Sequence, residues 1–144
     1  MKTVAQLLRG KGHEVLSVSP ETSVLDALRV MAEKNIGALL VVEGDGLVGI
    51  FSERDYARKV VLKGKASKET PVREVMTSPV LYVRPEQTIE DCMALMTDKH
   101  VRHLPVLQDE RRLVGVISIG DVVKNIIAEQ EFMIEQLQNY ITGH

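Results

Sequence analysis

From Val24 onward the apolar positions fall at Val24, Ala27, Leu28 and Met31, the spacing of one helix face. Ser23 precedes this run and Asp26 follows three residues later, the layout of a capping box, so a helix is predicted to open there. The same grammar recurs at Thr88, where Ile89, Cys92, Met93 and Met96 mark the face and Asp91 takes the acidic place. Each predicted helix is followed by a short apolar run, Ala38 to Val42 and Leu104 to Leu107. A polar turn comes next, Glu43-Gly-Asp-Gly46 or Gln108 to Arg112, and then a second apolar run, Leu47 to Phe51 or Leu113 to Ile117. Two such runs around a tight turn read as a hairpin. Further helices are expected after Ser52 and after Ser118.

The two stretches are one pattern written twice. Val18, Pro20, Glu21 and Asp26 fall on Val83, Pro85, Glu86 and Asp91. In the same register Met31 meets Met96, Lys34 meets Lys99 and Val41 meets Val106. One extra residue enters at the second turn, after which Leu47-Val-Gly49 falls on Leu113-Val-Gly115, Ser52 on Ser118 and Asp55 on Asp121. Even the lead-in repeats, with Val4-Ala-Gln-Leu-Leu8 resembling Val72-Arg-Glu-Val-Met76. The fold expected is α+β and sandwich-like: two pseudo-symmetric β-α-β-β-α repeats, each with a lead-in helix. Residues 1–62 make the first repeat with its lead-in, 63–70 a polar, breaker-rich linker, and 71–128 the second repeat. A half of about 60 residues buries little surface alone, so the two are expected to pack as one unit. Residues 129–144 prolong the last helix, which from Asp121 onward has apolar positions at Ile126, Ile127, Met133, Ile134, Leu137, Tyr140 and Ile141 and an acidic polar face. That extension is not needed to complete a repeat and is expected to pack on another subunit, with folding back on its own chain the alternative.

Composition narrows the partners. The chain has 144 residues, 44% hydrophobic and only 3% aromatic, so the core must come from aliphatic side chains and Met. Net charge is -2 with no basic stripe, which excludes a long nucleic-acid backbone as a natural partner. No stretch approaches the ~20 apolar residues of a membrane span, and the N-terminus lacks a signal-peptide layout. A soluble, cytoplasmic protein is expected. The single Cys92 aligns with Ala27 on the apolar helix face and reads as a core residue. His13, His100, His103 and His144 show no metal-ligand spacing, and no metal is expected.

The candidate chemistry lies where each hairpin ends. Ser118-Ile119-Gly120-Asp121 joins a strand to a helix, whose first amides lack internal partners and attract anions. Gly120 permits close approach of a ligand to the backbone. Arg102 and His103 precede a strand and are expected to face the same cleft, Arg102 as a planar fork of donors for phosphate oxygens. In the first copy Gly37 and Ala38 stand in their place, while Ser52 and Asp55 are kept and Arg54 adds a positive charge. Ser and Asp at these positions also satisfy an ordinary helix start.

This grammar resembles the CBS domain, which occurs as a tandem pair, the Bateman module. The most specific marks are Val101-Arg-His-Leu-Pro-Val106 and Gly115-Val-Ile-Ser-Ile-Gly-Asp121, with Ile36-Gly-Ala-Leu-Leu-Val41 and Gly49-Ile-Phe-Ser-Glu-Arg-Asp55 in the first copy. The resemblance covers about Val4 to Ile127, and the layout is similar to stand-alone two-CBS proteins. It implies binding of an adenine nucleotide (AMP, ADP, ATP or NAD) between the repeats and regulation of an associated protein. It also implies that Asp121 accepts the ribose hydroxyls, with Val80 or Leu81, on the first strand of the second copy, among the apolar walls for adenine. Such pairs usually form homodimers through their helices. A constitutive scaffold with vestigial clefts is the alternative, favoured by Gly37 and Ala38. No nucleophile, base and electrophile occur together, so an enzyme is not expected.

Overall fold

The computed structural model describes residues 2–110 and 112–143. Helix α1 (Val4–Lys11) opens on Thr3, whose hydroxyl accepts from the Gln6 amide while the Gln6 side chain accepts from the Thr3 amide. A short strand β1 (Ser17–Val18) leads to α2 (Val24–Lys34), capped by Ser23 and closed by Asn35 in the left-handed region. Strands β2 (Ala38–Glu43) and β3 (Gly46–Ser52) form the first hairpin, with β1 parallel to β2. Ser52 caps α3 (Glu53–Asp55), which widens into a π turn over Tyr56–Val61.

The second copy repeats this order. A 3-10 turn (Val72–Glu74) stands in place of a lead-in α-helix. Then follow α4 (Ile89–Lys99), β4 (His103–Leu107), β5 (Leu113–Ser118) and α5 (Ile119–Thr142). Thr88 and Ser118 both make reciprocal capping boxes, with Asp91 and Asp121. The hairpins match in register: Ala38 faces Ser52 as His103 faces Ser118. The turn between β4 and β5 is closed by the Gln108 amide donating to the Arg112 carbonyl; Arg111, within that expected turn, and His144 lie outside the described residues.

One difference from the sequence expectation bears on the site. The first strand of the second copy shrinks to one parallel bridge, Val83 to Val106, so Val80 and Leu81 are not in a strand. Pro79 has no amide to donate, and regular pairing begins only where Val83 N donates to Pro105 O. The 63–70 linker is tied to the start of α2. Its Ser67 and Thr70 carbonyls accept from the Leu25 and Val24 amides, and Thr70 is buried.

The lead-in segments cross over. Val4, Leu7 and Leu8 of α1 join the core of the second copy, with Ile89, Met96, Leu104 and Ile117. Val72, Val75 and Met76 pack instead on the core of the first copy, with Val24, Phe51 and Val60. Each lead-in drops one side chain onto a strand glycine, Leu8 on Gly115 and Met76 on Gly49, positions that also correspond in the repeat. Each half therefore completes the other's core.

Candidate functional site

Two clefts lie between the copies, of about 530 Å³ and about 480 Å³. Both reach Gly37, Ile50 and His103, so these residues form the wall that separates them. The larger cleft also touches Lys11, Lys34, Ala38, Val116 and Ser118. The smaller touches Ser52, Arg54, Asp55, Arg58, Lys59 and Arg102.

The grouping differs from the sequence expectation. Arg102 does not share a cleft with Ser118; it faces Ser52 and Asp55 of the other copy. Successive residues entering a strand point to opposite sides, so Arg102 and His103 diverge. His103 reaches both clefts and Arg102 only the smaller one. Gly37 and Ala38 line the larger cleft beside Ser118, which acquires its cations from Lys11 and Lys34 instead. Val80 is half-buried and Leu81 exposed, and neither lines either cleft.

Of the helix start Ser118 to Asp121 only Ser118 lines the larger cleft; its hydroxyl accepts from the Asp121 amide at 3.2 Å and Asp121 Oδ2 accepts from the Ser118 amide at 2.8 Å. The same Oδ2 takes the Lys11 ammonium at 2.6 Å, and Lys11 donates again to the Val116 carbonyl at 2.7 Å. Burial pushes the Asp121 carboxyl up, but the hydrogen bonds and charge of Lys11 and Ser118 outweigh it and hold the pKa below its ordinary value. Gly120 is open: a β-carbon there would meet only Ser118 Oγ, at 3.6 Å. Ile119 N is already taken by the Arg102 carbonyl at 2.8 Å, so this helix start has one fewer amide for an anion than the sequence implied. Burial, with Lys11 next, pushes the His103 pKa below its ordinary value, Asp121 opposing.

The smaller cleft is built differently. Asp55 is buried and its carboxylate is saturated. Oδ2 accepts from the Ser52 amide at 2.9 Å and the Ser52 hydroxyl at 3.1 Å; Oδ1 accepts from Thr77 Oγ1 at 2.9 Å and pairs with Lys59 at 3.0 Å. Arg54 spans the copies, donating to the His100 carbonyl at 2.8 Å. The Arg58 and Arg102 side chains have no hydrogen-bond or ion-pair partner among the described residues. Set against the carboxylates Glu53 and Asp55, the cations Arg54, Arg58, Lys59 and Arg102 leave this cleft positive. Arg54, Asp55 and Arg102 were legible as candidates; Lys11, Thr77, Lys59 and Arg58 were not. Lys11 carried one weak signal, a basic residue in the last turn of a helix.

Other groups are structural. Cys92 is buried, and burial, then Asp91 and Glu90, push its thiol up to about 11, which suits a core residue rather than a nucleophile. Among the described residues no group of three or more His, Cys, Asp or Glu is placed to hold a metal ion. No helix among them is long and apolar enough to cross a membrane.

Paired hairpin-and-helix repeats with clefts at their junction define a tandem-repeat module. The chain belongs to the CBS-domain family: the CBS domain matches residues 11–62 and 72–128. It is similar to the CBS domain-containing protein CBSX3, mitochondrial, of Arabidopsis thaliana, with 37% identity over 98% of this chain and 72% of that protein. Among solved structures it is similar to a CBS-domain protein from Burkholderia ambifaria MC40-6, at 55% identity and a TM-score of 0.85, over 90% of this chain and 96% of that one. The CBS-domain protein ATU1752 of Agrobacterium tumefaciens is 39% identical with a TM-score of 0.80, over 86% of this chain and 98% of that one.

Proposed function

We propose that this CBS pair is a regulatory module that binds an adenine nucleotide in the larger cleft and transmits binding to a surface on α5. The supporting observation is the arrangement around Ser118: Ser118, which caps the α5 start, lines one opening with the cations Lys11 and Lys34, and the Asp121 carboxylate stands directly behind it, bonded to Lys11 and to the Ser118 amide. A carboxylate serves ribose hydroxyls and the ammonium groups serve phosphate, so the pair of chemistries fits a nucleotide better than a sugar or an inorganic anion alone. Ile36, Leu40 and Ile50 supply an apolar wall for a base. AMP is the reference ligand, with ADP, ATP and NAD as the competing candidates. No catalytic role is proposed.

One observation favours a second reading for the smaller cleft. With Asp55 saturated by Ser52, Thr77 and Lys59, that cleft lacks a free ribose acceptor, as a scaffold with a vestigial site would.

The output surface is a second apolar stripe on α5. Val122 and Ile126 pack on the chain's own core, whereas Val123, Ile127, Ile134, Leu137 and Ile141 share a different helix face and are exposed. We infer that a second copy covers this stripe, giving a homodimer that can also present the surface to a regulated protein. A CBS-CP12 protein of cyanobacteria, 29% identical over 84% of this chain, is hexameric.

Calorimetric titration of AMP, ATP and NAD into nucleotide-free protein and Asp121→Ala tests the ligand reading. Saturable binding that Asp121→Ala abolishes is the expected result. No binding of any of the three would leave the scaffold reading in its place.

A further inference from the structure

We propose that Lys11 is a specificity-determining residue, a clasp on Asp121 that makes the larger cleft select phosphorylated over unphosphorylated nucleosides. This rests on the reading of Asp121 as the ribose acceptor. Lys11 closes α1 and Asp121 opens α5, 110 residues apart in sequence, yet their charged ends stand 2.6 Å apart. The pair is partly withdrawn from water, with side-chain exposures of 33% and 22%. Lys11 Nζ spends its second hydrogen bond on the Val116 carbonyl at 2.7 Å.

Asp121 Oδ1 carries no bond among the described residues, but Oδ2 is already filled by the Ser118 amide and Lys11, so a ribose whose two hydroxyls take both oxygens must displace that ammonium. A displaced, half-buried ammonium left with one carbonyl is costly, because removing one partner of a charged hydrogen bond leaves the other unsatisfied. The cost vanishes if the ligand brings its own anion. Lys11 lines the cleft, and its flexible four-carbon stem lets the ammonium swing from a carboxylate to a nearby phosphate. A nucleoside monophosphate therefore exchanges one ion pair for another, whereas the bare nucleoside breaks the pair and returns nothing to Lys11. Lys34, on the same wall, has no bond to Asp121 and attracts phosphate without guarding the ribose site.

The two lysines are separable. AMP and adenosine are titrated by calorimetry into wild type, Lys11→Met and Lys34→Met, with thermal unfolding confirming that each variant folds. Wild type is expected to prefer AMP. Lys11→Met is expected to weaken AMP and strengthen adenosine, so that the preference falls by about tenfold or more. Lys34→Met is expected to weaken AMP and leave adenosine unchanged. An AMP-to-adenosine ratio in Lys11→Met equal to wild type overturns the clasp while leaving the nucleotide reading intact. So does an equal weakening of both ligands. If wild type binds neither ligand, the ribose role of Asp121 and the clasp fall together. Should Lys11→Met not fold, Lys11→Gln is read in the same way, and a wild-type ratio there overturns the proposal equally.

Discussion

Leu8 lies directly against Gly115: a β-carbon on Gly115 would stand 2.8 Å from Leu8 Cδ2 and 3.0 Å from Cδ1. The contact joins α1 to β5 and seals the second copy's core with a residue from the first. Gly115→Ala is therefore expected to destabilise the protein by about 1–3 kcal/mol, the usual cost of overpacking. Gly10 serves as the control, since nothing lies within 4 Å of its β position on α1. Gly10→Ala is expected to stabilise by about 0.5–1 kcal/mol through helix propensity. Urea denaturation of both variants checks the pair, and a neutral Gly115→Ala would show that Leu8 yields freely.

Thr77 belongs to the second copy but donates to Asp55 in the first. Asp55 is 6% exposed, so water cannot readily replace a lost donor. Thr77→Val keeps the shape and removes the hydroxyl, with an expected loss of about 1–3 kcal/mol in chemical denaturation. Equal stability of Thr77→Val and wild type would mean that Ser52 and Lys59 suffice.

His103 makes stability depend on pH. Its folded pKa is held below the ordinary 6.5, mainly by burial. Below 6.5 the unfolded chain takes up the proton before the folded one does, so stability falls as pH drops from 6.5 towards the folded pKa and is flat again beyond it. Above 6.5 the histidine is neutral in both states and the effect is absent. Thermal unfolding from pH 7.5 to pH 5 is expected to fall more steeply for wild type than for His103→Gln. Parallel curves would remove His103 as the source.

Asp121 adds a separate acid limb. Its pKa is lowered in the fold, so its stabilisation is complete above its unfolded value of 3.8 and is lost as pH falls through the folded pKa.

On α5, Ile134 is 56% exposed and lies on the stripe away from the chain's own core. Ile134→Glu is expected to shift sedimentation from dimer to monomer while leaving urea unfolding of the monomer within about 0.5 kcal/mol. Unchanged sedimentation would take the stripe out of self-association.

Much of the fold was legible because it is local. Ser23, Ser52, Thr88 and Ser118 announce their helices through bonds spanning three residues, and the hairpins follow from apolar runs around polar turns. The internal repeat also placed both Asp residues at matching helix starts. What the repeat concealed is that equivalent residues live in unequal surroundings. Asp55 and Asp121 correspond in sequence, yet one is buried under Thr77 and Lys59 and the other is clasped by Lys11.

The two repeats, their capped helices, their hairpins and the Ser-x-x-Asp helix starts follow from the order of residues alone, because propensity, capping and periodicity act over a few residues. It took the packed fold to show that each lead-in completes the opposite core, that Arg102 faces the Ser52 helix start and that Lys11 reaches Asp121. Those contacts join residues dozens of positions apart. They arise from how two repeats pack against each other, which no local pattern along the chain encodes.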